Sequence, residues 1–229
     1  MIADATGRQA KTIREFLAEG ALAALDVGCG IGAKTSFIAR HVKGTVGIDP
    51  NAGDVREAQN RYGGRHLSFL VARAEMLCFA DGSFDVIFFN ESLHHVPVDR
   101  QADALREGHR VLKPRGRMLI IEPIHGSGAL GQILKLYLDE AVSKQHALKA
   151  IEAVRKDGFA LRARTEIQIQ CRFHGFDDFY ADYRLSRPEA AADGVTKRDI
   201  RARFARCPRH TAGDTLIDYT ASVWHLVKK

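Results

Sequence analysis

Residues 22–35, LAALDVGCGIGAKT, decide how the chain is to be read. Leu22 to Val27 is an apolar run of strand length, interrupted only by Asp26, and it ends in three alternate glycines, Gly28, Gly30 and Gly32. Lys34, Thr35, Phe37, Ile38 and Ala39 continue with helical character, so the unit reads strand, glycine turn, helix. Glycines there let the backbone turn sharply and let a ligand lie against bare amides, near the positive end of the helix dipole. The stretch is expected to be a nucleotide-binding turn.

Two nucleotide classes compete for it. Gly28, Gly30 and Ala33 satisfy the dinucleotide fingerprint in its alanine-tolerant form, and Asp49 stands roughly 20 residues on, where a ribose acid is expected. Two details favour another cofactor: Asp26 lies inside the strand end just before the first glycine, and Gly32 adds a third glycine. An acid under the turn repels a pyrophosphate but suits a cofactor carrying an ammonium group, such as S-adenosylmethionine.

Four blocks in order, LDVGCGIG at 25–32, VGIDP at 46–50, DGSFDVIFFNESLHHV at 81–96 and RVLKPRGRMLIIEP at 110–123, together resemble the class I S-adenosylmethionine-dependent methyltransferases. The likeness is to their small, single-domain branch, acting mainly on small molecules, and it covers residues 20–125. It implies a doubly wound α/β fold with a seven-stranded, mostly parallel sheet, an antiparallel edge strand and helical lid inserts. It also implies a cofactor set of Asp26, Gly28, Cys29, Gly30, Asp49, Pro50, Ala74, Glu75 and Asn90, and S-adenosylhomocysteine as product.

The whole chain agrees with one α/β domain spanning 1–229. At 229 residues it can bury a full core without metals or disulfides. The four cysteines, Cys29, Cys78, Cys171 and Cys207, form no paired ligand spacing, which argues against zinc and for a reducing compartment. No apolar run reaches the ~18 residues of a membrane span, and the N-terminus lacks the apolar core of a signal peptide, so a cytoplasmic protein with no membrane partner is expected. The net charge of +6 permits acidic partners without demanding them.

Along the chain, Ile13, Phe16 and Leu17 mark a helix over 8–19, whose Arg8, Lys11 and Arg14 either hold the methionine carboxylate or face water. A short strand, 45–48, ends in Asp49-Pro50; proline stops the ladder and leaves the Asp49 carboxylate at the tip. The resemblance gives that carboxylate both ribose hydroxyls; the other reading is a cap for a helix over 53–61. A third strand follows at 66–72. At Arg73 the family has an acid that receives the adenine amino group, which leaves Glu75 and the Ala74 backbone to serve the ring. Phe84 to Phe89 is an unbroken apolar strand suited to a sheet covered on both faces, and its end, Asn90 to His95, is expected beside the cofactor. Met118 to Ile121 forms the fifth strand, entered by a turn in which Arg115 is tolerated if it keeps negative φ.

Beyond it, apolar spacing at three and four from Gly126 to Ser143 predicts a lid helix, followed by a helix over 145–157. Residues 165–173 and 216–227 alternate as two antiparallel strands that complete the sheet. The insert between them, 174–213, is expected to carry helices near 176–184 and 196–206 and to join the lid. Lys197, Arg198, Arg201, Arg203, Arg206 and Arg209 there either bind a phosphate, an anionic substrate or a nucleic-acid backbone, or face water around an inward stripe of Ile200, Phe204 and Cys207.

A sulfonium methyl group is already activated, so transfer needs positioning of the acceptor and exclusion of water more than elaborate catalysis. A base is needed only where the acceptor keeps its proton. Candidates at the strand ends are His94, His95, Glu122 and His125; only one of the adjacent histidines is expected to face the pocket, and the resemblance favours His95. The expected activity is methyl transfer to an O, N or C atom of a small-molecule acceptor. The alternatives are an RNA or DNA methyltransferase using residues 197–209, disfavoured because Asn90-Glu91-Ser92-Leu93 lacks the paired prolines and aromatic ring that enclose a flipped adenine, and a non-catalytic cofactor-binding regulator. Acceptor identity and oligomeric state are not written in the sequence.

Overall fold

The structure is a computed structural model that describes residues 4–134, 140–186, 196–207, 210–211 and 214–229. The chain divides into two compact units. The larger comprises Ala10–Glu122, Ser143–Thr165 and Ser222–Lys229; the smaller comprises Met1–Gln9, Pro123–Val142 and Glu166–Ala221. The smaller unit contains most of both segments expected as lid inserts.

The chain runs α1 (Arg8–Leu17), β1 (Ala23–Val27), α2 (Ala33–Ala39), β2 (Gly44–Asp49), α3 (Ala52–Tyr62), β3 (Leu67–Val71), β4 (Phe84–Asn90), α4 (Gln101–Val111) and β5 (Leu112–Pro123). It continues with α5 (Gly128–Leu134), α6 (Ala141–Gly158), β6 (Phe159–Phe173), α7 (Phe176–Ser186), α8 (Lys197–Phe204), β7 (His210–Thr211) and β8 (Asp214–Lys228).

Seven strands contribute to the larger unit, in the order β3-β2-β1-β4-β5-β8-β6. The pairings from β3 through β5 are parallel, and β8 and then β6 continue the sheet to its other edge, where an antiparallel pair completes the mostly parallel sheet. β4 lies at the centre, and its unbroken apolar run is the reason: Val86 to Phe89 are at most 1% exposed, which only a strand covered on both faces can be. Around it Leu25, Ile87, Phe89, Leu105, Ile120, Ile151, Phe159 and Trp224 form one contiguous core. Successive strands run outward from β1 to β2 and β3, then resume on β1's other side with β4 and β5. Such a reversal opens a crevice outside the carboxyl ends of β1 and β4, where open α/β sheets bind their ligands.

In the smaller unit the rings of Phe173, Phe176, Phe179 and Phe204 pack at centroid distances of 5.0 to 6.4 Å. The short β7, not anticipated from sequence, pairs antiparallel with β8.

One expectation changes, and two fall partly outside the described residues. The lid helix expected over 126–143 is described in two parts, α5 over Gly128–Leu134 and α6 from Ala141, with 135–139 between them outside the described residues. The lid stripe residues Tyr137 and Leu138, like Arg209 of the basic segment, lie outside the described residues. Arg115 does not keep negative φ: it lies near the start of β5 at +61°, where the β4–β5 register jumps from Phe84–Leu112 to Val86–Arg117 and the extra residues bulge out of the ladder. No helix among the described residues is long and apolar enough to cross a membrane.

Candidate functional site

The glycine turn is built by close approach. Ser92, two residues past β4, donates its hydroxyl to the Val27 carbonyl at 2.5 Å and so ties the ends of β1 and β4 together. Gly28 lies directly against it: a Cβ at Gly28 would come within 2.3 Å of the Ser92 Cβ, and its φ is +77°. Gly28 is glycine because Ser92 occupies the space a side chain would need.

The amides of this turn are not bare, contrary to expectation. Gly28 N and Cys29 N both donate to the Ile48 carbonyl, at 2.8 and 2.9 Å, and Gly30 N donates to Asp49 Oδ2 at 2.9 Å. The turn spends those donors on β2, which fixes its shape. What it leaves open is space: nothing lies within 4 Å of where a Cβ of Gly30 would be, so the backbone there is uncovered.

Asp49 reaches the turn through Gly30 N, and Asp26 lies buried in β1 just before it. Asp49 ends β2, half-buried; Oδ1 accepts from Asn51 N at 2.9 Å and Oδ2 from Gly30 N, leaving each oxygen a lone pair. It does not cap α3. Asn51 does, accepting from Gly53 N and Asp54 N. Pro50 is exposed between them.

Asp26 is 1% exposed. Its Oδ2 accepts the Thr35 hydroxyl at 2.7 Å, and its Oδ1 has no hydrogen-bond partner among the described residues. Burial pushes its pKa up to about 6, against the opposing hydrogen bond from Thr35 and the charge of Lys34. A buried carboxylate with one idle oxygen is costly unless a cation or donor reaches it. Burial likewise pushes the neighbouring Cys29 thiol up, and the charges of Asp26 and Asp49 add to it, so the thiol stays protonated and inert.

On the β3 side, Arg73 is exposed and Glu75 half-buried, while Ala74 is buried against the core. Asn90 is 6% exposed at the end of β4. The next residue, Glu91, takes a left-handed φ of +59°, and its carboxylate pairs with Lys34 at 3.4 Å.

The two histidines differ sharply. They occupy a short helical turn, Leu93–His95, with rings 4.0 Å apart and tilted by 43°. Thus adjacent rings do lie side by side, because a tight helical turn brings them round. His94 is buried, and its Nδ1 lies 2.5 Å from Glu122 Oε2, while Glu122 Oε1 accepts Leu93 N at 2.8 Å. Glu122 is therefore committed to holding the turn, and His95 is left exposed. The Ser143 hydroxyl donates to the His94 carbonyl and braces the turn from α6. His125 belongs to the smaller unit.

Of the basic and N-terminal candidates, Lys197 and Arg201 are engaged by neighbours, while Arg198, Arg203 and Arg206 are exposed. Lys197 and Arg201 both pair with Asp177, and Arg201 stacks 4.2 Å from the Phe176 ring centroid and Lys197 4.6 Å from that of Tyr180. Ile200, Phe204 and Cys207 are buried as the inward stripe. Lys11 pairs with Glu15 on an exposed helix face, and Arg14 is exposed. Sequence reading missed Thr35, Lys34 and Ser92. None stands in a motif of its own; each matters only through the neighbour that the fold brings to it.

Residues 25–120 match a family described as a methyltransferase domain. Methyltransferase GfsG of Streptomyces halstedii is 35% identical over 159 residues, which is 65% of this chain and 56% of that protein. O-methyltransferase rstn1 of Aspergillus nomiae is 32% identical over 154 residues, 63% of this chain and 67% of that protein. The chain thus spans little more than half of GfsG. The crystal structure of the YcgJ protein from Bacillus subtilis aligns over 96% of this chain and 97% of its own, with a TM-score of 0.63 at 19% identity, a likeness of fold.

Proposed function

The chain belongs to the class I S-adenosylmethionine-dependent methyltransferases, and from that footing we propose that it transfers the methyl group of S-adenosylmethionine to an O, N or C atom of a small-molecule acceptor. The observation that carries this reading is the idle, buried Oδ1 of Asp26 in β1, two residues before a glycine turn whose backbone is uncovered at Gly30. A pyrophosphate would meet repulsion from it, whereas an ammonium group would satisfy it.

In this reading Asp26 receives the ammonium group, through its free oxygen. Asp49 receives the ribose hydroxyls on its two remaining lone pairs, held rigid by the Gly30 and Asn51 amides. Ala74 and Glu75 serve the adenine side, and Gly28, Cys29, Pro50 and Asn90 shape the wall. The cofactor supplies a methyl group already activated by its sulfonium. The protein's task is to orient the acceptor and keep water out. For an acceptor that keeps its proton, His95 is the base, and His94, locked by Glu122, positions it through ring contact. The segments 126–143 and 174–213 serve as the substrate-side lid.

Calorimetric titration with S-adenosylmethionine, S-adenosylhomocysteine and NAD, on the native protein and on Asp49→Ala, tests the cofactor. The expected result is binding of both adenosyl ligands, lost in the variant, with none for NAD. Binding of NAD alone sinks the proposal. Label transfer from methyl-labelled cofactor into small-molecule pools, rather than into RNA, then tests the acceptor class.

A further inference from the structure

At the opposite edge of the same sheet, where β1, β4 and β5 begin, the larger unit carries a second cleft of about 530 Å³, a size suited to a small-molecule ligand. Its charged lining is four cations, Lys113, Arg115, Arg117 and Arg162, against two carboxylates, Glu19 and Asp85. Both carboxylates are already spent. Asp85 Oδ1 holds Lys113 at 2.7 Å and Oδ2 accepts the amides of Leu22 and Ala23. Glu19 Oε2 is shared by Arg162 at 2.6 Å and Arg117 at 3.3 Å. Arg117 is further occupied by the Phe16 and Gly20 carbonyls.

Arg115 stands apart from these. It is exposed, has no carboxylate within ion-pair distance among the described residues, and sits at φ +61°. Only one other non-glycine described residue has positive φ, Glu91, and that one is ion-paired. A bulky side chain in this region is strained, and glycine would relieve the strain while leaving the bulge intact. The fold therefore carries a cost to keep an unpaired guanidinium at the rim of a cleft with excess positive charge. Leu22, 62% exposed, adds an apolar wall beside it.

We infer that this cleft binds a small phosphorylated ligand, with Arg115 as its principal contact and Lys113 and Arg162 as flanking cations. The planar guanidinium matches phosphate oxygens in pairs, and the Leu22 wall suits an apolar substituent on the phosphate.

The test is titration of the native protein and Arg115→Gly with phenyl phosphate and with inorganic phosphate, at constant ionic strength and with S-adenosylhomocysteine at saturation. The expected result is saturable binding of phenyl phosphate, tighter than inorganic phosphate, weakened roughly tenfold in Arg115→Gly by loss of a charge-assisted contact. Thermal stability of the variant should be equal or higher. Amide NMR shifts on the native protein, confined to the cleft lining at residues 19–22, 85, 113–117, 162 and 227, give a readout independent of any variant. Absence of saturable binding at millimolar concentration, shifts centred on residues 28–30 instead, or unchanged affinity in Arg115→Gly would each overturn the inference.

Discussion

Asp26, at the carboxyl ends of the strands, and Asp85, at their amino ends, are acids of one sheet in opposite condition. Asp85 is fully engaged: burial pushes its pKa up, but the Lys113 ammonium and the Ala23 and Leu22 amides outweigh it and hold the carboxyl below its ordinary value. Asp26 has one hydroxyl donor and one idle oxygen, and burial wins, raising it to about 6. An acid that stabilises the fold is saturated by the fold; an acid kept unsaturated at a ligand-binding edge is a cost borne for something that arrives later.

The largest expected effect tests how the carboxyl edge is assembled. Gly28→Ala should destabilise by about 3 kcal/mol or more, because it adds a clash with Ser92 to an unfavourable φ. Denaturant unfolding measures it, and Ser92→Gly in the same chain should relieve the clash but lose the hydroxyl tie to Val27, restoring less than the steric part. Gly30→Ala, facing open space, should cost about 1 kcal/mol from φ alone yet weaken binding of S-adenosylhomocysteine.

Acid titration sharpens the contrast with a half-buried histidine. His225 lies against the Phe16 ring at 4.8 Å, and burial lowers its pKa to about 4, the charge of Arg162 adding to this. Its unfolded value of 6.5 is higher, so the unfolded chain takes up the proton first, and stability is lost as pH falls from 6.5 toward 4, by at most about 3 kcal/mol. Asp26 has the opposite sign: its folded value exceeds the unfolded 3.8, so stability is gained as pH falls from about 6 toward 3.8. Unfolding free energies between pH 7 and 4.5 should therefore decline more gently in His225→Phe and more steeply in Asp26→Asn than in the native protein.

Asp85→Ala should cost about 2 kcal/mol, since it strands the Lys113 ammonium and two amides. Asp26→Asn is a small change of opposite sign and the most informative. At pH 7 it should gain about 1 kcal/mol by removing a buried charge, while calorimetric affinity for S-adenosylmethionine falls. A loss of stability in Asp26→Asn, or a gain in Asp85→Ala, would break the comparison.

Much of this architecture is legible in the chain because its signals are local. The run Phe84 to Phe89 could only be a strand covered on both faces, and it is the central one. Ile200, Phe204 and Cys207 kept their predicted inward stripe, because helical spacing alone defines a face. The last helices and the edge strands likewise appear where their periodicity placed them. Asn51 took the capping role through its own side chain two residues before Gly53, a rule that needs no tertiary partner.

What could not be read depends on residues far apart in the chain. Gly28 meets Ser92 across a gap of 64 positions, His94 meets Glu122 across 28, and Arg115 acquires its meaning from a cleft whose walls come from five separate segments. The glycine turn was recognisable from its spacing, but its amides turned out to serve β2, and its openness resides in the space above Gly30. Backbone preference and side-chain period act over a few residues and so survive in one dimension. Which oxygen is satisfied, which ring is buried and which charge lacks a partner are set by strand order, and strand order exists only once the chain has folded.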